Sequence, residues 1–289
     1  GAKIARIFNI SPLIIGLLIF GFGTSAPEML VSGLAAFDGH PELSVGNAFG
    51  SNIFNIGLVL GVTAIILPIS VDKLVLKKEW LFLFLSTLVA GALLLDQYLS
   101  FNDGLILLSL LLLFLYYVYT ESKKNNPNNL DNIDDGLKNE KKSRIWFLLI
   151  LSLIILVSSA RLVVWGGTSL ALEFGISDLI IGLTVVALGT SLPELAVSVS
   201  SALKKQHQMV IGNIIGSNLF NTLGVLAIPG LILPFQIPGE VMSRDFINMI
   251  ILTLLIVLLA VIFKFKINRF GGFILLFMLG TYLYQLLWI

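Results

Sequence analysis

The sequence predicts an all-α, polytopic membrane protein built as inverted repeats of five helices, with nine of the ten helices present in the chain. Three observations predict it: the composition, the number of long apolar segments, and an internal repeat whose copies lie an odd number of membrane crossings apart.

Hydrophobic residues make up 57% of the chain and charged residues 12%. A soluble domain carries roughly 25% charged residues, so this chain has about half the usual share. A net charge of +1 leaves no footprint for nucleic acid. The absence of cysteine excludes disulfides and thiolate metal sites.

A spanning helix needs about 20 mostly apolar residues. Nine segments qualify: 10–37, 43–69, 79–96, 104–120, 145–171, 178–203, 209–235, 246–263 and 270–289. Four segments longer than a bilayer requires (10–37, 43–69, 178–203 and 209–235) carry Gly, Pro, Ser, Thr or Asn near their middles, which predicts broken or strongly tilted helices. The polar stretch 121–144, ESKKNNPNNLDNIDDGLKNEKKSR, reads as a solvated linker. Its Asp131, Asp134, Asp135 and Gly136 hint at a calcium loop, but the ligand spacing is wrong. The expected organisation is a first repeat half over 1–120 with four helices, a linker over 121–144 and a second half over 145–289 with five.

The repeat is explicit. ISPLIIGLLIFGFGTSAPEMLVS at 10–32 matches ISDLIIGLTVVALGTSLPELAVS at 176–198, and VGNAFGSNIFNIGLVLG at 45–61 matches IGNIIGSNLFNTLGVLA at 211–227, all at an offset of 166 residues without a gap. Glu28 and Glu194 are separated by five crossings. Five is odd, so the two copies point in opposite directions across the membrane, the inverted plan of many secondary transporters. Charge agrees independently. With the N-terminal end inside, 16 of the 18 Lys and Arg fall in inner loops, as the positive-inside rule requires. Arg244 falls outside, and Arg161 lies within 145–171, where snorkelling to the outer interface is expected. The second half has a helix ahead of its motif, and the first half opens directly on GAKIARIFNIS; a further N-terminal helix of about 20 residues is therefore expected ahead of Gly1.

The motif Gly23-Thr24-Ser25-Ala26-Pro27-Glu28 and its copy Gly189-Thr190-Ser191-Leu192-Pro193-Glu194 place carboxylates inside spanning segments. Each costs about 2.5–3.5 kcal/mol at mid-membrane on insertion scales. A chain carries two such groups at equivalent positions when they face one another, a cavity or a cation. Pro27 and Pro193 obstruct the helix and free carbonyls about one turn earlier, expected to include those of Gly21 and Ala187. Thr24, Ser25, Thr190 and Ser191 add oxygens. The following helix of each half brings Asn47, Ser51 and Asn55, and Asn213, Ser217 and Asn221; Ser51 and Asn55 share one helical face, as do Ser217 and Asn221. Gly46, Gly50, Gly212 and Gly216 are expected to let helices approach closely. Every donor is oxygen, and His40 and His207 lie in expected loops. That donor chemistry suits a hard cation such as calcium, sodium or a proton, not zinc or copper. Two carboxylates neutralise one Ca2+ or can instead share several Na+, which is a physical basis for exchange.

At these motifs the chain resembles the sodium/calcium exchanger branch of the calcium/cation antiporter superfamily, of the prokaryotic type. The resemblance spans both repeats and essentially the whole chain. It implies ten helices and exchange of Ca2+ for Na+ by alternating access at a central site, not an enzymatic reaction. It also implies that Glu28 and Glu194 are carboxylates shared by the calcium and sodium sites. Thr24 and Thr190 would give backbone oxygens to calcium. Ser25, Ser51, Ser191 and Ser217, with the carbonyls of Gly21 and Ala187, would help bind sodium, and Asn55 and Asn221 would complete the middle of the cluster. Some relatives carry an acid where this chain has Asn221, which weighs against a potassium-dependent exchanger. Proton-coupled calcium exchangers resemble a GNxxE pattern that GTSAPE does not follow; a Ca2+/H+ antiporter is the alternative reading. The 24-residue central loop is too short for the calcium-sensing domains of animal exchangers. No cofactor and no required protein partner are implied; Ca2+ and Na+ are cargo, the location is a prokaryotic cell membrane, and the 121–144 loop is cytoplasmic. An intramembrane hydrolase using Ser25 or Ser191 lacks a base within reach, and a passive channel would differ by lacking saturable counter-transport.

Overall fold

A computed structural model describes residues 11–124 and 173–288, with part of the stretch 146–172. Ser11 and Ser177, 166 residues apart, each cap a helix by accepting from the backbone N–H three residues on, at 3.3 and 3.4 Å. Two long helices follow each cap. They are α1 (Pro12–Phe37) and α2 (Pro41–Ile66) in the first half. After β1 (Ile69–Ser70) come the short α3 (Lys73–Lys77), α4 (Glu79–Leu93), β2 (Tyr98–Leu99) and α5 (Phe101–Lys124). The second half supplies α6 (Asp178–Leu203) and α7 (His207–Ile232), then β3 (Phe235–Gln236), α8 (Val241–Ile262), β4 (Lys266–Ile267) and α9 (Arg269–Trp288).

Six of the described helices (α1, α2, α5, α6, α7 and α8) are long and apolar enough to cross a membrane, and α2 and α7 are the most enclosed by protein. The apolar core runs continuously through both halves. The strand pairs carry the inversion: β1 pairs antiparallel with β4, Ile69 opposite Ile267, and β2 with β3, Leu99 opposite Phe235. β1 and β3 are 166 residues apart. Each therefore ties its own half to the other, one at each end of the bundle.

Close backbone approach does the same for the long helices. Glycines face backbone where α1 meets α7 and where α2 meets α6. A Cβ on Gly212 would lie 2.6 Å from the Leu13 carbonyl oxygen and one on Gly216 2.5 Å from that of Leu17; on Gly46 and Gly182 it would meet Leu179 and Leu43 at 2.6 and 2.5 Å. Any side chain there would push the helices apart, and close packing is one of the forces that hold membrane helices together.

Several boundaries differ from the sequence expectation. The four long helices are not broken. Each runs through its motif and absorbs the irregularity in a wide π-helical stretch: Ile15–Phe20 and Gly182–Val186 ahead of the Glu motifs, Asn55–Leu60 and Asn221–Val225 in α2 and α7. A proline removes one ladder bond, and neighbours packed on both sides carry a membrane helix through that defect. The carbonyl deprived of its donor lies four residues back, so it is that of Gly23 or Gly189, not of Gly21 or Ala187. α5 continues to Lys124, past the expected linker start at 121, and Glu121 is held there by Lys78 at 2.6 Å. α8 begins at Val241, so Arg244 sits in its first turn instead of a loop. His207 is the first residue of α7, whereas His40 lies in the turn before α2, bonded to Asp178 of α6 at 2.6 Å. α4 stops at Leu93. Arg161, residues 1–10 and 125–145 lie outside the described residues.

Candidate ion-binding site

Glu28 of α1 and Glu194 of α6 are fully buried and near enough to feel one another's charge. Thr190 lies beside Glu28, and Thr24 beside Glu194, so each carboxyl faces the other repeat's threonine. The helices bring six hydroxyls (Thr24, Ser25, Ser51, Thr190, Ser191 and Ser217) and four amides (Asn47, Asn55, Asn213 and Asn221) into the same buried region. Thr24 Oγ1 donates to the Phe20 carbonyl at 2.7 Å and lies 3.3 Å from Ser217 Oγ. Its counterpart Thr190 Oγ1 donates to the Val186 and Ala187 carbonyls at 3.0 and 3.4 Å and lies 3.3 Å from Ser51 Oγ. Each pair joins a residue of one half to a residue of the other. Ser217 Oγ donates to Glu194 at 3.4 Å.

Asn47 and Asn213 lock each Glu-bearing helix to its neighbour. Asn47 Nδ2 donates to the Glu28 carbonyl and Ser32 Oγ at 3.2 and 3.1 Å; Asn213 Nδ2 donates to the Glu194 carbonyl and Ser198 Oγ at 3.3 and 3.0 Å. The symmetry stops at the amide oxygens. Asn47 Oδ1 accepts from Ser51 and Thr190 at 3.3 and 3.4 Å, whereas Asn213 Oδ1 has no partner among the described residues.

All twelve residues expected in the site are buried: Glu28, Glu194, Thr24, Thr190, Ser25, Ser191, Ser51, Ser217, Asn55, Asn221, Gly21 and Ala187. What separates them is how far the protein satisfies them. Both carboxylate oxygens of Glu28, Oε2 of Glu194, the hydroxyls of Ser25 and Ser191, Oδ1 of Asn55 and both amide atoms of Asn221 have no hydrogen-bond partner among the described residues. An unsatisfied buried polar group costs about 1–3 kcal/mol and more when charged, so such a concentration of them points to a ligand rather than to packing. Gly21 fits against Gly216, where an added Cβ would lie 2.9 Å from its carbonyl carbon. Ala187 packs with its Cβ toward Gly50.

Among the described residues no three His, Cys, Asp or Glu side chains gather in one place. The donor set is thus two carboxylates plus hydroxyl, amide and carbonyl oxygens, suited to hard cations that accept six or more oxygens. Sequence reasoning did not single out a further layer. Asn55 Nδ2 donates to Asn218 Oδ1 at 3.0 Å, and Asn52 Nδ2 to Thr222 Oγ1 at 2.8 Å. Asn52 and Asn218 are themselves 166 residues apart, a signal the repeat already contained. Farther along α8, Asp245 is fully buried, held by Arg244 at 2.8 and 3.1 Å and by the Tyr282 hydroxyl of α9 at 2.9 Å.

Paired buried carboxylates on inverted repeats of membrane-length helices are the build of a secondary transporter. The family model described as sodium/calcium exchanger protein matches residues 1–120 and 144–288. The chain belongs to the sodium/calcium exchanger protein family. Among its relatives, CaxA of Alkalimonas amylolytica is 42% identical over 298 residues, covering 99% of this chain and 91% of that protein. Sodium/calcium exchanger MaX1 of Methanosarcina acetivorans is 32% identical over 326 residues, covering 100% and 92%. The structure of the sodium-calcium exchanger NCX_Mj, soaked with 2.5 mM Na+ and 0.1 mM Ca2+, matches with a TM-score of 0.78 at 38% identity, over 98% of this chain and 90% of that one. The chain is accordingly an integral membrane protein of an exchanger family, not an enzyme.

Proposed function

We propose that this protein exchanges Ca2+ for Na+ across a prokaryotic cell membrane by alternating access at one central site. The observation that carries the reading is the pair of fully buried carboxylates, Glu28 and Glu194, set in a cluster of unpartnered oxygens drawn from both repeats. Two carboxylates balance one Ca2+. The same oxygens, divided among several Na+ of similar size, balance the other load, and the two loads compete for the same charge. Leaving the site empty strands two carboxylates in a low-dielectric interior, so the loaded states are favoured and exchange is coupled.

In this reading Glu28 and Glu194 are shared by both cations. Thr24 and Thr190 give oxygens to Ca2+. Ser25, Ser51, Ser191 and Ser217 serve Na+ with the carbonyls of Gly21 and Ala187, which stand just ahead of the Gly23 and Gly189 carbonyls that the prolines leave without a donor, and Asn55 and Asn221 sit in the middle. The halves divide at 1–124 and 145–289, the first ending with α5 at Lys124, with the stretch between them as a cytoplasmic linker. The names of MaX1 and NCX_Mj support the pairing of these two ions. Neither a cofactor nor a protein partner is needed for the cycle; the ions are cargo.

The site assignment is tested in proteoliposomes. Glu28→Gln and Glu194→Gln each remove one of two charges that bind Ca2+ and should abolish Ca2+ uptake driven by a Na+ gradient. Uptake at the native rate in either variant would overturn the assignment.

A further inference from the structure

We propose that the lysine-rich end of the bundle binds one anionic phospholipid, its acyl chain in the groove between α4 and α8 and its headgroup on Lys77, Lys264 and Lys266. The groove has a volume of about 500 Å3 and is lined by Trp80 of α4 and by Ile251, Leu254, Leu255, Leu258 and Val261 of α8. That volume lies within the roughly 300–1,000 Å3 of small-ligand sites. Leu254 and Leu258 are 43% and 52% exposed. Trp80 is fixed in the wall by donating from Nε1 to the Thr253 carbonyl at 3.0 Å and by stacking on Phe84, an aromatic anchor of the kind found at membrane interfaces.

The sequence builds a basic collar at one end of this groove. Asp72 caps α3 by accepting from the Leu74 N–H at 2.8 Å. Within α3, Val75 and Leu76 are buried while Lys73 and Lys77, one turn apart, are exposed. This amphipathic turn lies where an interfacial helix would. The β1–β4 pairing then brings the α8–α9 turn alongside: Lys266 stands opposite Ser70, the Val71 N–H donates to the Phe265 carbonyl at 2.9 Å, and Lys73 Nζ sits 4.5 Å above the Phe265 ring. Lys264 follows Val261 of the groove by three residues and is exposed, as is Lys266. Lys78 is already committed to Glu121, and Asp72, which caps α3, sets one negative charge against those of Lys73, Lys77, Lys264 and Lys266, all exposed. The collar is therefore a net cation surface next to an acyl-sized groove. A zwitterionic headgroup leaves that charge unmatched, and an anionic one matches it.

The test uses the full chain in nanodiscs with Trp146, Trp165 and Trp288 changed to Phe, leaving Trp80 as the reporter. Brominated phosphatidylglycerol should quench Trp80 at least about tenfold more effectively, by apparent affinity, than brominated phosphatidylcholine, given a contribution of roughly fivefold per lysine near a membrane surface. The preference should vanish in the K77Q/K264Q/K266Q variant. It should also vanish in the unmutated collar at high salt, where such surface attraction is screened, a readout that needs no variant to fold. Equal quenching by both lipids, quenching by neither, or a preference that survives both salt and the triple variant would overturn the proposal.

Discussion

Asn47 and Asn213 occupy equivalent places in the two repeats, yet their hydrogen bonding is unequal, and replacing each with alanine should expose the difference. Asn47 makes three interhelical bonds, to the Glu28 carbonyl, to Ser32 and from Thr190, and one within its own helix from Ser51. Asn213 makes two interhelical bonds, to the Glu194 carbonyl and Ser198, and its Oδ1 has no partner among the described residues. Side-chain hydrogen bonds between membrane helices average about 0.6 kcal/mol. Asn47→Ala should then cost about 1.8 kcal/mol and Asn213→Ala about 1.2 kcal/mol on that average. The volume removed is the same, so its contribution largely cancels in the comparison. Asn213→Ala additionally removes an unsatisfied buried acceptor, a relief of about 1–3 kcal/mol at most, which widens the gap in the same direction. Reversible unfolding of the two variants in mixed micelles, without added Ca2+ and with Na+ replaced by a large organic cation, measures both. Equal losses, or a larger loss for Asn213→Ala, would refute the asymmetry.

Two further outcomes follow from polar contacts outside the site. Asp245→Ala strands Arg244 and frees the Tyr282 hydroxyl, so thermal unfolding should report a loss of about 3–5 kcal/mol, as for other broken buried pairs; a loss under 1 kcal/mol would mean the α8–α9 contact bears no weight. The Lys78–Glu121 hydrogen bond raises the Lys78 ammonium above its usual range. A group whose folded value is raised adds stability that is fully present below its unfolded value near 10.4 and is lost as pH rises through the folded one. The coupling between Lys78→Gln and Glu121→Gln in a double-mutant cycle should therefore be below about 1 kcal/mol at neutral pH, as for other part-exposed pairs, and fade above pH about 10.4. A coupling that persists undiminished well above that pH, past the raised folded value, would contradict it.

Much of the candidate site was legible because the repeat supplies its own control. A single Glu in an apolar run is ambiguous; Glu28 and Glu194, each following Gly-Thr-Ser-x-Pro at one fixed offset, are not. Oxygen-bearing side chains at matched positions could be read the same way, and all of them are buried in the structure. What escaped depends on contacts that no local pattern encodes. The Asn52–Thr222 and Asn55–Asn218 bonds join residues more than 160 positions apart. Asp245 was hidden at the edge of an apolar run because its partner Tyr282 is on another helix. Gly and Pro at the motifs predict broken or strongly tilted helices because they signal a weakened ladder without saying how the chain resolves it, here in π-helical stretches. A two-residue strand such as β1 carries no periodicity at all, although its pairing with β4 fixes one end of the bundle.

The central claim, coupled exchange of Ca2+ for Na+, is tested most directly by radiolabelled Ca2+ uptake into proteoliposomes under imposed gradients of Na+, K+ or H+. Accumulation above equilibrium should require an outward Na+ gradient, saturate with Ca2+, and be indifferent to K+. Uphill uptake driven by a pH gradient in the complete absence of Na+, or a flux that only equilibrates Ca2+ whatever the gradient, would contradict it.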